Sequence, residues 1–126
     1  MKAIKVNLLP TKELSSRSTG EKLSVVASVT DAFSLSSLLV HRELVPPGRK
    51  TAPAHAHSLK EEVFFVESGH PSILLNGIVQ ELEPGDIIGL KPEDGIRCLF
   101  NDTSEDAIVW TIGTNDEADV VKFEGS

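Results

Sequence analysis

The chain has 126 residues, 40% of them hydrophobic, and a formal net charge of −7. This length and composition are typical of one domain with one core and argue against extended disorder, so we expect a single domain over residues 1–126. The acidic balance argues against a nucleic-acid partner. No apolar run is long enough to span a bilayer, and the first ten residues lack the apolar core of a signal peptide. With Cys98 as the only cysteine, a reducing, cytoplasmic location is expected.

The predicted elements are short β-strands along almost the whole chain. Residues 12–22, rich in Ser and charge, are predicted to form a surface loop, and residues 115–126 a tail that can add an edge strand. Runs rich in Val, Ile, Leu and Phe predict eight strands, at residues 24–30, 35–45, 62–67, 72–75, 78–82, 86–90, 97–101 and 107–112. No segment keeps a helical apolar period over ten residues. The sequence therefore predicts an all-β sandwich or barrel.

Turn signals separate these runs. The clearest is Asn76-Gly77, because both residues tolerate the positive φ of a two-residue hairpin turn. Other turns are predicted at residues 46–48, 69–71, 84–86 and 93–95, where Pro, Gly, Asp or Asn are concentrated.

The candidate chemistry lies at His55 and His57. Side chains at i and i+2 of a strand point to the same face, and two imidazoles with one carboxylate form a typical site for non-haem iron and related ions. Glu62 follows at a suitable distance, with Glu61 as the alternative carboxylate, and Gly69 ends the next apolar run with a residue suited to a tight turn. A lone His-x-His is more often a pair of solvated histidines, so the prediction of a metal site depends on Glu62 and Gly69 following at these distances.

The same residues carry a family resemblance. Residues 47–69, which include HAHSLKEEVFFVESG, resemble the first conserved motif of the cupin superfamily, and residues 84–101, PGDIIGLKPEDGIRCLFN, resemble the second. The resemblance implies a double-stranded β-helix, or jelly-roll barrel, with its core at about residues 24–114. It also implies a homodimer, and a divalent ion (Fe, Mn, Ni or Zn) held by His55, His57 and Glu62.

One departure from the family concerns the second motif. Counting back from Asn101, Arg97 stands where the family has a histidine; counting forward from Gly95, Cys98 stands there. A register slip of one residue exchanges the two faces of a strand. We favour Arg97, because a strand should keep its register better than the loop before it.

An inward Arg97 is a permanent cation that cannot ligate a metal. At about 6 Å from a divalent ion and an effective dielectric constant of about 20, it would repel the ion by on the order of 5 kcal/mol. Two arrangements follow: a weak metal site completed by water, or a metal-free pocket in which Arg97 pairs with Glu62.

The predicted function is the binding of a small, anionic molecule in the barrel, beside a weak divalent-metal site. Ligand-binding residues are predicted to be Arg97, Phe64, Leu99 and Trp110, with Leu90 as a further lining residue. The alternative is a metal-dependent cupin enzyme, either a dioxygenase or an isomerase like those acting on sugar phosphates. A third interpretation is an interaction domain with a vestigial pocket. The fold alone names no reaction.

Overall fold

The computed structural model describes residues 2–125, and this part of the chain is mainly β-strand. Its strands are β1 (Thr11–Ser15), β2 (Lys22–Ser28), β3 (Leu38–Val45), β4 (His55–His57), β5 (Glu62–Ser68), β6 (Ser72–Leu75), β7 (Ile78–Glu81), β8 (Ile87–Leu90), β9 (Arg97–Phe100), β10 (Ala107–Thr114) and β11 (Val121–Phe123). One short helix, α1 (Val29–Ala32), follows β2, and single 3-10 turns lie at Val6–Leu8 and Pro92–Asp94. Between residues 2 and 125, no helix is long and apolar enough to cross a membrane.

The strands form two antiparallel sheets. One has six strands in the order β1-β2-β3-β10-β5-β8, and the other has five in the order β11-β4-β9-β6-β7. Neighbouring strands are often distant in the chain, as where β10 lies between β3 and β5. This arrangement confirms the predicted all-β jelly roll.

Inward-facing side chains of the two sheets form one apolar core. Its buried members come from six strands and the residue that follows β7: Val45, Phe64, Val66, Ile73, Leu82, Leu90, Leu99, Ala107 and Val109. Along β10 the burial alternates, so that Val109 and Thr111 face inward while Trp110 faces outward. This period of two is what a strand requires when one face covers a core.

Two turns have the predicted geometry. Asn76 and Gly77 join β6 to β7 with φ of 49° and 82°, as the two-residue hairpin requires. Gly69, just after β5, has φ of 81°, and a Cβ there would lie 2.6 Å from the Asp106 carbonyl oxygen. Only glycine satisfies both conditions, so the turn after β5 depends on Gly69.

The sequence prediction was wrong at the start of the chain. Part of the expected surface loop at residues 12–22 is strand β1, which pairs with β2 and extends the larger sheet. The strand expected at residues 24–30 ends at Ser28, whose hydroxyl oxygen accepts the backbone N–H of Asp31 and caps α1. Strand β1 lies at an exposed edge of the sheet. Because neither of its faces is buried in the core, its sequence lacks the alternation of apolar residues by which a strand is recognised.

Candidate metal-binding site

Strand β4 holds the two histidines side by side. His55 is 9% exposed, and the His57 side chain is 7% exposed. Their Nε2 atoms lie 3.0 Å apart, and their rings meet edge to face with centroids 4.7 Å apart. The i, i+2 spacing therefore brings two ring nitrogens together, as the strand parity predicts.

The other ring nitrogen of each histidine has an acceptor. His55 Nδ1 lies 2.7 Å from the Pro53 carbonyl oxygen, and His57 Nδ1 lies 2.8 Å from Asp119 Oδ2. Both partners accept hydrogen bonds, so each Nδ1 carries a proton, and in a neutral ring Nε2 is then the nitrogen with the free lone pair. Two lone pairs 3.0 Å apart repel each other unless a cation or a shared proton lies between them.

Glu62 completes a set of three candidate ligands. Its Oε1 lies 3.5 Å from His57 Nε2, and one ligand atom from each of the three residues lies within 4.8 Å of the others. Two nitrogens that bind one ion at about 2.0–2.1 Å stand roughly 2.9–3.4 Å apart at tetrahedral or octahedral angles. The 3.0 Å separation of the two Nε2 atoms fits that spacing, so these residues fit a divalent ion.

Two pKa shifts favour these roles. Burial lowers the pKa of His55 and outweighs the hydrogen bond to Pro53, which raises it, so that proton competition for this ring is weak at neutral pH. Burial acts to raise the pKa of Asp119, but the N–H groups of Leu59, His57 and Lys60 outweigh it and lower this pKa to about 2. Asp119 is therefore an ionised acceptor for His57 across the physiological range.

Arg97 is fully buried, at 0% exposure, and its guanidinium donors are directed to protein acceptors. Nη1 donates to Glu62 Oε1 at 3.1 Å, Nη2 donates to the carbonyl oxygens of Lys91 and Gly95, and Nε also donates to Gly95. The pairing of Arg97 with Glu62 matches the second of the two arrangements left open above. A carboxylate has lone pairs on both oxygens, so this pairing leaves Glu62 able to ligate an ion as well.

The register of β9 decides between Arg97 and Cys98. His55 pairs directly with Arg97, which shares its inward face with Leu99 of the core. The Cys98 thiol instead donates to the carbonyl oxygen of Ala52, and burial raises its pKa. Arg97 is therefore the residue that faces Glu62.

The predicted lining residues separate into two groups. Phe64 and Leu99, 4% and 1% exposed, belong to the core and lie two residues along their strands from Glu62 and Arg97, respectively. Leu90 also belongs to the core and pairs with Glu62. The prediction that Trp110 lines the pocket is wrong. Its indole lies on the outer face of the larger sheet and donates to Glu67 Oε1 at 2.9 Å, because β10 turns its smaller residues inward.

Sequence reasoning missed three residues at or near this site. Asp119 lies 62 positions from His57, and no local spacing connects the two. The Lys60 side chain reaches the inward face of β10 at Gly113, the residue that pairs with Glu62. If Gly113 carried a Cβ, that atom would lie 2.7 Å from Lys60 Cε. Glu43 is a second buried carboxyl group, and its place in an apolar strand was the one signal that marked it.

Comparison with known proteins places the chain in a family. A family model described as the cupin domain matches residues 41–113, more than half of the chain. None of the curated proteins compared with the chain matches it.

Three solved structures illustrate the similarity. One is a protein from Acidithiobacillus ferrooxidans ATCC 23270 with a provisional assignment as a sugar phosphate isomerase. It is 27% identical, with a TM-score of 0.76 over 79% of this chain and 64% of that one. A cupin superfamily sugar phosphate isomerase from Silicibacter pomeroyi DSS-3 is 22% identical, with a TM-score of 0.74 over 82% of this chain and 66% of that one.

The third is a predicted oxalate decarboxylase from Thermotoga maritima, 16% identical, with a TM-score of 0.76 over 91% of this chain and all of that one. The chain spans slightly less than two thirds of the first two relatives, so their activities do not transfer to it directly. The match over residues 41–113 and the shared two-sheet architecture establish that this chain belongs to the cupin superfamily.

Proposed function

We propose that the protein binds a small anionic molecule in its barrel, at a divalent-metal site formed by His55, His57 and Glu62. The observation that carries this proposal is the convergence of two Nε2 atoms, 3.0 Å apart, beside a buried carboxylate. Two imidazoles and one carboxylate are the ligand set of many non-haem Fe(II) sites, and Mn, Ni and Zn accept the same donors.

The charges around the site support an anionic ligand. The Arg97 cation and the Glu62 anion form a buried pair, so a divalent ion bound there would keep its full double charge. Lys60 adds a further cation at the inward face of β10, beside Gly113. A site with this excess of positive charge favours a carboxylate or phosphate over a neutral molecule.

Each residue has a proposed task. His55 and His57 supply the nitrogen ligands, Glu62 supplies an oxygen ligand and a negative charge, and Arg97 holds Glu62 in place through its bond to Oε1. Phe64 and Leu99 form the apolar floor that excludes water from the pair. A bound divalent ion supplies a Lewis acid for an oxygen of the ligand.

The first experiment measures metal binding by isothermal titration calorimetry with Ni²⁺, Zn²⁺, Mn²⁺ and anaerobic Fe²⁺ after chelator treatment. We expect one ion per chain, lost in His57→Ala and retained in the control His70→Ala, which changes an exposed turn residue. Arg97→His should raise affinity at least tenfold, because it removes a cation and adds an imidazole. Arg97→Gln removes only the cation and separates the two effects. Equal binding by wild type and His57→Ala would refute the site.

The second experiment measures ligand class. Metal-loaded protein is titrated with inorganic phosphate, oxalate and, as a neutral probe, glucose. We expect the anions to bind and glucose not to, and we expect Lys60→Gln to weaken anion binding several-fold. Lys122→Gln is the matched control. Lys122 pairs with Ala56, which lies between the two histidines on β4 and faces the opposite side of the strand, so the Lys122 side chain lies on the side away from the site. An unchanged affinity in Lys60→Gln, or preferential glucose binding, would contradict the anionic assignment.

A second candidate is a metal-dependent enzyme, either a dioxygenase or an isomerase acting on sugar phosphates. The 27% identity to the protein from Acidithiobacillus ferrooxidans favours the isomerase form of it. Interconversion of aldose and ketose phosphates by the metal-loaded protein, absent from His57→Ala, would establish turnover. Oxygen uptake in the presence of Fe²⁺ and a substrate would indicate a dioxygenase.

We further propose a homodimer, located in the cytoplasm. The outer face of the larger sheet exposes apolar side chains at Phe65, Ile87 and Ile112, and a second copy would cover such a face. Light scattering at tens of micromolar tests this, and a mass near 13.6 kDa would contradict it.

A further inference from the structure

Asp119 contacts the histidine strand through both of its carboxylate oxygens. Oδ2 accepts from His57 Nδ1 at 2.8 Å, and Oδ1 accepts the backbone N–H groups of Leu59 and Lys60 at 2.8 and 3.0 Å. Its side chain is 10% exposed. These bonds fix the turn that leaves β4 as well as the orientation of the His57 ring.

The strand that follows Asp119 also holds β4 in the sheet. Strand β11 pairs with all three residues of β4, whereas β9, on the other side, pairs with β4 only where His55 meets Arg97. Phe123 of β11 lies opposite His55, with the two rings 5.9 Å apart. The segment 119–123, here called the clasp, therefore contacts both proposed nitrogen ligands.

The chemistry of the Asp119 contact determines which His57 nitrogen is available. A carboxylate only accepts, so the proton of the neutral ring must lie on Nδ1, and Nε2 keeps the lone pair that points at His55 and Glu62. A donor at the same place would reverse the tautomer and put a proton on Nε2. The ring would then be unable to ligate without losing that proton.

We infer that Asp119 is a positioning residue for the metal site, and that docking of the clasp and binding of a divalent ion strengthen each other. This inference rests on the proposed metal site for its consequence, but the tautomer that it assigns to His57 is a property of the metal-free protein. Because linkage is reciprocal, an ion that binds the clasped arrangement more tightly must also lower the equilibrium population of the open one.

Two substitutions at one position test the inference. In Asp119→Asn the single amide oxygen must serve either Leu59 and Lys60 or His57. Two backbone donors face one position and a single ring nitrogen faces the other, so we expect the amide oxygen to stay with Leu59 and Lys60. The amide NH₂ then faces His57 Nδ1 and forces the proton onto Nε2. Asp119→Ala offers neither a donor nor an acceptor, so both tautomers are accessible. We therefore expect Asn to weaken metal binding by about 10–100-fold, and Ala to weaken it less.

The order of these two losses separates positioning from a merely structural role, which predicts that Ala is at least as damaging as Asn. Asp116→Asn is the matched control, because the Asp116 carboxylate precedes the clasp and accepts the backbone N–H of Ala118 in its own turn, which an amide oxygen can also do. It should bind metal as the wild type does. Equal affinities in wild type, Asn and Ala variants would overturn the inference.

Two further measurements keep this test separate from the proposed function. Nitrogen-15 NMR of the metal-free protein should show His57 protonated at Nδ1 in wild type and at Nε2 in Asp119→Asn. The same tautomer in both proteins would overturn the inference, whether or not metal binds. Hydrogen exchange should slow when Ni²⁺ is added to wild type at the amides of Val120, which donates to Ser58 Oγ, and Glu124, which donates to the Ala54 carbonyl oxygen. Unchanged exchange in the metal-bound protein would refute the coupling. If the wild type binds no ion but Asp119→Asn still changes the His57 tautomer, the proposed metal site is refuted and the positioning role of Asp119 stands.

Discussion

Two buried glutamates on the larger sheet, Glu43 and Glu62, differ in what surrounds them. Both face the barrel interior, at 4% and 6% exposure, on β3 and β5 with β10 between them. Glu62 has a cation and an imidazole within reach, whereas the partners of Glu43 are hydroxyl groups.

The surroundings of Glu43 favour its neutral form. Ser24 Oγ donates to Oε1 at 2.7 Å, and the Thr111 hydroxyl donates to Oε2. Burial raises the pKa of Glu43, and the charge of Glu62 raises it further. The bonds from Thr111 and Ser24 and the charge of Lys60 lower it only in part. A carboxyl group without a cation partner avoids the cost of a buried charge by keeping its proton.

Glu62 differs because the chain supplies Arg97 opposite it, where the resemblance to the cupin family predicts a histidine. The buried cation forms the ion pair, and the guanidinium is itself held by the carbonyl oxygens of Lys91 and Gly95. The comparison shows that a buried carboxyl group becomes a candidate ligand through its neighbours, since burial by itself raises the pKa, as at Glu43, and so favours the neutral acid.

The largest expected effect comes from removing the cation that distinguishes the two sites. Arg97→Met leaves Glu62 buried without its partner, and it leaves the two carbonyl oxygens without donors. We expect the free energy of unfolding to fall by about 3–5 kcal/mol, measured by urea denaturation of the metal-free protein.

The double variant Arg97→Met, Glu62→Leu provides the control, because it removes both charges together. It should regain most of the lost stability if the loss comes from the unpaired carboxylate. A single variant that loses less than about 1 kcal/mol would show that the ion pair is not what makes Glu62 differ from Glu43.

The next effect concerns the hydroxyl groups at the other site. Thr111→Val keeps the shape of the side chain and removes the donor to Glu43 Oε2. We expect a loss of about 1–2 kcal/mol in the free energy of unfolding at pH 7, since one bond to a buried carboxyl group disappears. Thr11→Val, at an exposed position of β1, should change it by less than about 0.5 kcal/mol. Equal effects of the two substitutions would indicate that Glu43 does not depend on Thr111.

Whether the sequence predicted a feature depends on how far apart in the chain its residues lie. The parity of His55 and His57, the hairpin at Asn76 and the turn at Gly69 are local properties of two or three residues, and the sequence predicted each of them. The inward Arg97 also followed from local register. Asp119 did not, because its contact with His57 joins positions 62 residues apart and no period connects them.

Trp110 shows a different limit. Alternation along β10 identifies which residues share a face, but it does not state which face is inside. Ile108, Trp110 and Ile112 form the more apolar set, yet the smaller set that includes Val109 and Thr111 faces the core. The inner face is selected by the space between the sheets, which large residues from β5 and β9 already fill, such as Phe64 and Leu99. That information is tertiary.

The smallest expected effect is a change in pH dependence at Glu43. Its pKa is raised in the folded protein, so folding takes up a proton, and its contribution to stability is complete below the unfolded carboxyl's pKa of about 4.5. That contribution is lost as pH rises through the folded pKa. Glu43→Gln removes this titration, and the hydroxyls of Ser24 and Thr111 can accept from an amide as well as donate to it. We therefore expect the variant to gain stability relative to wild type as pH rises from 5 to 8, with a difference below about 1 kcal/mol at pH 5.

Glu67 serves as the control, because its pKa is shifted in the opposite direction and the change of stability with pH is therefore expected to be opposite. The hydrogen bond from Arg42 lowers the pKa of Glu67, so its contribution to stability is present above the unfolded pKa and is lost as pH falls through the folded one. Glu67→Gln should therefore lose stability relative to wild type as pH rises from 3 to 6, measured by urea denaturation at each pH. If the Glu43→Gln curve runs parallel to wild type from pH 5 to 8, Glu43 is already ionised in the folded protein over that range. The two buried glutamates would then not differ in protonation as their surroundings imply.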